Sequence, residues 1–231
     1  MRVLLKLSGE ALSGEGEKGF KREALDYVVQ EVKPVLERGV RLGIVVGAGN
    51  IFRGDELENI SRERADQIGL LGTVMNSIYL KDWFEKYGIK CRVFSQIVNL
   101  PDVEQVNYSK IDESLENGYL LIFGGGTSNP FFTTDTAAVL RAKEMKANII
   151  IKATKVDGVY DRDPKKHSDA KKIEEISFSE ALRMNLRVMD AEAFSMCQKL
   201  GITVKIIDFF KPGNLLKALS GERVGSTIFP G

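Results

Sequence analysis

Three glycine clusters directly follow short apolar runs: Ser8-Gly9, Gly47-Ala48-Gly49-Asn50 and Gly124-Gly125-Gly126-Thr127. At the carboxyl end of a strand in an open α/β sheet, glycine lets bare backbone N–H groups approach a phosphate. The helix that follows adds positive potential. One such loop can serve tight packing alone. Three on one sheet edge point to a polyanionic ligand. Lys6 and Lys152 stand at the ends of two such runs, and Asp135 opens a helical stretch between them. Lysines, glycine loops and one carboxylate suffice for phosphoryl transfer, which asks for in-line positioning and positive charge rather than covalent chemistry.

Other chemistries lack their parts. His167 is the sole histidine and lies in a Lys- and Asp-rich stretch; Cys91 and Cys197 form no CxxC pair. Zinc, papain-like and serine-hydrolase sites are thereby excluded. Lys+Arg number 33 and Asp+Glu 32, so no global field attracts nucleic acid or an acidic membrane. No apolar run reaches the ~18 residues of a membrane span. The N-terminus lacks a signal-peptide h-region and cleavage site, so a cytoplasmic protein is expected. The nearest approach to a Walker loop, Gly14 to Phe20, puts Phe20 where lysine is required, and Gly47-Ala48-Gly49 lacks the third glycine of a dinucleotide fingerprint.

Alternating strand and helix patterns must position these residues. Strands are expected at Val3–Leu7, Arg41–Val46, Ile89–Ser95, Tyr119–Phe123, Asn148–Lys152, Ile202–Ile207 and Ser226–Phe229. Helices are expected at Glu23–Arg38 (kinked at Pro34), Arg62–Tyr87, Ile111–Glu116 begun by Ser109, Thr134–Lys146, Ser179–Met184, Ala191–Leu200 and Leu215–Leu219. Thr154–Ser168 reads as a long loop or small hairpin. The pattern predicts one α/β domain over 1–231, a three-layer αβα sandwich with a mainly parallel sheet. In the segment Ala65–Trp83, Ile68, Leu71, Val74, Met75 and Ile78 mark one apolar face, widened by Leu70 and Leu80. A helix so apolar is buried on two sides, by the sheet and by a symmetry mate that Gly69 and Gly72 let come close.

The blocks Lys6-Leu7-Ser8-Gly9-Glu10-Ala11-Leu12, Gly47 through Gly54, Gly72 through Asn76, Thr127 through Asp135, Lys152 through Tyr160, Asp163-Pro164 and Val188-Met189-Asp190 run in order over almost the whole chain. Together they resemble the amino-acid-kinase superfamily, and within it the bacterial UMP kinases. The resemblance implies ATP-dependent phosphorylation of UMP to UDP in pyrimidine nucleotide synthesis. It implies that Lys6, Leu7, Ser8, Gly9, Gly49 and Arg53 meet the triphosphate, and that Thr154, Tyr160 and Asp163 hold the ATP base and ribose. UMP would lie against Ala48, with Asp66 on its ribose and Thr127, Ser128, Asn129, Pro130, Phe131, Phe132, Thr133 and Thr134 around it. Lys6, Lys152, Asp135 and Arg53 would be catalytic, Asp135 orienting both lysines and Asp190 supporting Lys152. Mg²⁺ would arrive bound to ATP, with few or no direct protein ligands. The family also implies inhibition by UTP, activation by GTP through the region Gly14, Glu15, Gly16, Glu17, Lys18 and Gly19, and a homohexamer built as a trimer of dimers.

Two departures stand out: Ala48 replaces a family glycine, and the turn at Gly14–Lys21 is longer than usual. Without the resemblance, the Phe131-Phe132 pair reads as core, Asp66 as a solvated helix position and Arg53 as undecided. Two other functions stay open. One is a sibling kinase acting on a carboxylate or carbamate; the other is a nucleotide store or sensor.

Overall fold

The computed structural model describes residues 1–52, 59–162, 164, 166–186 and 188–231. Arg53 and Asp163, both expected in the site, lie outside them. Along the chain, β1 (Arg2–Leu7) leads through a 3-10 turn (Gly9–Leu12) to α1 (Arg22–Glu37), β2 (Arg41–Val46), α2 (Arg62–Lys86), β3 (Cys91–Ser95) and β4 (Val103–Gln105). Then follow α3 (Tyr108–Glu116), β5 (Leu120–Phe123), α4 (Thr134–Glu144), β6 (Ile149–Thr154), β7 (Val159–Tyr160), β8 (Lys172–Ile173) and β9 (Glu175–Ser177). The chain closes with α5 (Phe178–Arg183), α6 (Ala191–Leu200), β10 (Thr203–Asp208), α7 (Asn214–Leu219) and β11 (Ser226–Phe229).

Among the described residues nine strands form one sheet in the order β4-β3-β5-β2-β1-β6-β10-β11-β9, parallel except at the β10–β11 pair. Alternation along β1 separates two cores. Val3, Leu5 and Leu7 face α1, α2 and α7, while Leu4 faces the layer of α3, α4, α5 and α6. This is the expected αβα sandwich. Strands buried on both faces read as continuous apolar runs, which is why β1, β2 and β5 were visible in the sequence.

Several local expectations change. The helix expected at Ile111 starts at Tyr108, because Asn107 rather than Ser109 caps it: the Asn107 side chain accepts from Lys110 N. Pro34 lies within α1, which continues through it to Glu37. β6 runs on to Thr154, so Lys152 is inside a strand rather than at its end. The segment after β6 is a hairpin, β7 pairing antiparallel with β8. Ser226 on β11 anchors it: its hydroxyl accepts from Val159 N at 2.8 Å and donates to Ile173 O at 2.5 Å. Cys91 and Cys197 are both buried, and burial pushes each thiol up to about 12, leaving them inert packing groups.

Helix α2 carries two apolar faces, not one widened face. Ala65, Val74, Leu80 and Phe84 are buried, together with the polar Thr73, Asn76 and Ser77. Ile68, Leu71, Met75 and Tyr79 form an exposed stripe at i, i+3, i+7 and i+11. Gly72 serves a close approach within the chain. A Cβ there would stand 2.9 Å from the Ala48 methyl. Ala48 itself stays out of the left-handed region, so its side chain is tolerated where the family has glycine.

Candidate active site

The parallel register makes Lys6 of β1 and Lys152 of β6 direct neighbours. Registered residues of adjacent parallel strands point to the same face, so two ammonium groups share one side of the sheet. Left alone they would repel. Helix α4 covers this face and brings Asp135 in its first turn, where Thr133 caps the helix by accepting from Asp135 N at 3.0 Å. Asp135 Oδ2 accepts from Lys152 Nζ at 2.6 Å, and Lys6 Nζ lies 3.0 Å from Oδ1. All three side chains are largely buried. Burial opposes ionisation of Asp135, but the two lysines outweigh it and hold the carboxyl below the usual range. Burial, with Lys6 adding to it, brings Lys152 below the ordinary lysine value against the pull of Asp135. The result is a pair of preorganised cations in a water-poor position, with one carboxylate fixing their spacing.

Asp190 does not contact Lys152. The second partner of Lys152 is the Val188 carbonyl, at 2.8 Å. Asp190 instead caps α6 through Ala193 N at 2.8 Å and accepts from the hydroxyls of Thr133 and Thr136. It ties the start of α6 to the start of α4, and its charge also favours the protonated form of Lys152 through space.

The glycine loops end adjacent strands, β5, β2 and β1. Gly9 touches the second loop so closely that a Cβ would fall 2.6 Å from Gly49 N. The backbone N–H groups of Ala48 and Gly49 find no acceptor among the described residues, and a Cβ on Gly49 would meet open space. These are free donors on a bare backbone, the requirement for an anion site.

Two clefts flank the lysines. One, of about 340 Å³, is lined by Ala48, Gly49, Asp66, Gly126, Thr133 and Thr134 among others. Phe131 and Phe132 also line it and are 54% and 47% exposed, which corrects their reading as core. The reason lies in contacts from α2: Phe131 N donates to Asp66 Oδ2 at 2.8 Å, and Arg62 sits over the Phe131 ring at 5.5 Å, holding the loop over the cleft. Ser128 bonds Gln96, and the Thr127 hydroxyl and Asn129 bond each other's backbone, so those side chains shape the loop. Pro130 lies in the same loop. The second cleft, of about 660 Å³, is lined by Lys152, Thr154, Tyr160 and Arg162 with the apolar Leu186, Val188 and Ile206. The Thr154 hydroxyl is engaged with the Val156 and Ile207 carbonyls, and the Tyr160 hydroxyl donates to Asp157 at 2.8 Å. Thr134, next to Asp135, lines the first cleft and Lys152 the second, so the charged triad lies between them.

Sequence reasoning gave no role to Arg62, Thr73, Asn76 or Arg141. Thr73 accepts from Gly125 N at 2.8 Å, and the buried Arg141 donates to Gly126 O at 2.9 Å, so both hold the third glycine loop. The available signal was a polar residue recurring on a helix face that also carries the core. The region Gly14–Gly19 forms a loop whose Glu15 pairs with Lys155 at 2.9 Å and whose Glu17 pairs with Lys21 at 2.9 Å. No helix is long and apolar enough to cross a membrane among the described residues.

The sequence profile of the amino acid kinase family matches residues 1–208. The chain is 69% identical over 230 residues to a uridylate kinase of Thermotoga petrophila and 68% identical over 230 residues to one of Thermotoga maritima, each match covering 100% of both chains. Among solved structures it resembles UMP kinase from Bacillus anthracis, with a TM-score of 0.95 and 36% identity over 99% of this chain and 95% of that one. UMP kinase from Ureaplasma parvum gives 0.93 and 30% over 99% and 98%. The chain belongs to the amino acid kinase family, among its uridylate kinases, and is an enzyme of the kinase class.

Proposed function

We propose that this enzyme moves the γ-phosphoryl group of ATP to the phosphate of UMP, giving UDP and ADP, and so serves pyrimidine nucleotide synthesis. The observation that carries this reading is the Lys6–Asp135–Lys152 triad, set in adjacent register between two clefts. The cleft over Asp66 takes UMP, and the one past Tyr160 takes the base and ribose of ATP. The acceptor oxygen of UMP is already ionised near neutral pH, so no general base is needed. Lys6 and Lys152 flank the transferring group, and the N–H groups of Ala48 and Gly49 in the second loop bind phosphate oxygens. The resemblance assigns Arg53, outside the described residues, to the same phosphates. Mg²⁺ neutralises charge on the phosphate oxygens when bound. It is assigned to the nucleotide and to water, with few or no direct protein ligands.

The proposal extends to a single domain, a cytoplasmic location and a homohexamer assembled from dimers through the exposed stripe on α2. It includes UTP as an inhibitor that places its uridine in the acceptor cleft, and GTP as an activator acting through the Gly14–Gly19 loop. A coupled assay with ATP and each of UMP, CMP, TMP, acetylglutamate and carbamate tests the reading. UMP should be the preferred acceptor. Preference for acetylglutamate or carbamate would move the enzyme to a sibling activity, and no turnover with any acceptor would favour a nucleotide store or sensor. UTP that fails to slow the reaction at low UMP would remove the inhibitory part.

A further inference from the structure

Asn50 and Asn76 are both 0% exposed and face each other beneath the second glycine loop. Each amide donates to the other's oxygen, at 3.0 Å from Asn50 and 2.7 Å from Asn76. The remaining N–H of Asn76 goes to Gly47 O at 2.7 Å, and that of Asn50 to Gly19 O at 2.9 Å. Gly19 N returns a bond to Asn50 O at 2.6 Å. Both NH₂ groups are thereby fully used in a buried site, where a lost partner is costly.

The bond to Gly47 has a consequence set by peptide geometry. Gly47 C=O and Ala48 N–H belong to one planar trans unit and point in opposite directions. Holding the oxygen inward towards α2 turns the Ala48 N–H outward, and that N–H finds no acceptor among the described residues. Glycine loops lack side chains with which to fix such a plane, and here α2 supplies the grip.

We propose that Asn50 and Asn76 are positioning residues that aim the Ala48 N–H at a nucleotide phosphate and tie its orientation to the Gly14–Gly19 loop. This rests on the phosphotransfer reading above. Phe20, at the end of that loop, stacks on Tyr79 of α2 with ring centroids 3.9 Å apart, so the loop is seated on the same helix that carries Asn76.

The test compares the parent enzyme with Asn50→Ala, Asn76→Ala, the double variant and Gly19→Ala, following ATP-to-UMP transfer and melting temperature. Each asparagine variant should lose kcat roughly 10- to 100-fold, the scale expected of a misaimed contact. The KM for UMP should stay within about threefold, because the nucleoside cleft is intact. The double variant should lose little more than either single, since the two amides act as one unit. Gly19→Ala guards against variants that do not fold. Gly19 has φ +76°, and an added Cβ meets nothing within 4 Å, so the change strains the backbone bonded to Asn50 without a clash. It should lower kcat in the same direction. A parent without phosphotransfer would remove the underlying reading. An active parent whose folded variants keep kcat within about twofold, or whose losses multiply, would overturn the positioning role alone.

Discussion

Lys6, Lys152 and Asp135 make a sharp kinetic prediction. Charge on the transferring oxygens grows only as transfer proceeds, so contacts from the lysines strengthen towards the transition state. Lys6→Ala should lower kcat by roughly 10²–10³, the usual cost of one electrostatic donor, with little change in KM for UMP. Asp135→Asn should also lose kcat, and the Lys6–Asp135 double variant should lose much less than the product of the singles. Steady-state kinetics checks all three. The same carboxylate sets a pH dependence. Its folded pKa lies below its unfolded value, so its stabilising effect is complete above about pH 4 and fades as pH falls through the folded value. The gap in melting temperature between parent and Asp135→Asn should therefore be widest near neutrality and narrow in acid. A gap that widens in acid would contradict the ion pairing. Asp66 gives a separate prediction: if it receives the ribose hydroxyls, kcat/KM for UMP should exceed that for dUMP by well over tenfold. Equal values would remove that role. Asp66 now holds Phe131 N, so binding would exchange one donor for another.

Helix α2 illustrates what the sequence disclosed and what it hid. Its length was legible almost to the residue, because twenty-five residues of unbroken helical composition leave little choice. Its faces were not. Periodicity treats Thr73, Asn76 and Ser77 as solvent-facing, yet these three bond glycine-loop backbone or a helix carbonyl inside the fold. The apolar Ile68, Leu71, Met75 and Tyr79 lie outside instead. Leu71→Glu with Met75→Glu should therefore leave the fold intact and break the proposed dimer, shifting light scattering to a smaller particle. Unchanged mass would place the interface elsewhere. The strands β4, β8 and β9 escaped the sequence reading, and β7 was offered only as part of a loop or small hairpin, because two or three residues cannot display a period of two. The glycine loops were legible because their meaning depends only on following strand ends, and the lysines because they lie close to those ends, within β1 and β6. The seating of Asp190 and the exposure of Phe131 depend on contacts from residues distant in sequence.

At the scale of the whole molecule, a near-neutral net charge leaves recognition to the local fields of the clefts. Scattering should report a particle near six times the 25.7 kDa chain mass at assay concentration, and a 25.7 kDa particle would refute assembly. The sheet order has a further consequence. β11 lies between β10 and β9, and its Ser226 holds both strands of the hairpin that walls the second cleft. The piece of chain that joins the far edge of the sheet to its centre thus comes after every other strand in sequence. A nascent chain whose β11 is still within the ribosome already has β1, β2 and β5 with their glycine loops, but lacks the strand that seats β9 and the hairpin. Domains fold from the N-terminus as they emerge, so the UMP side should mature before the ATP side. Proteolysis confined to Ser226–Phe229 in the finished enzyme should reverse that order, with ATP binding lost before UMP binding.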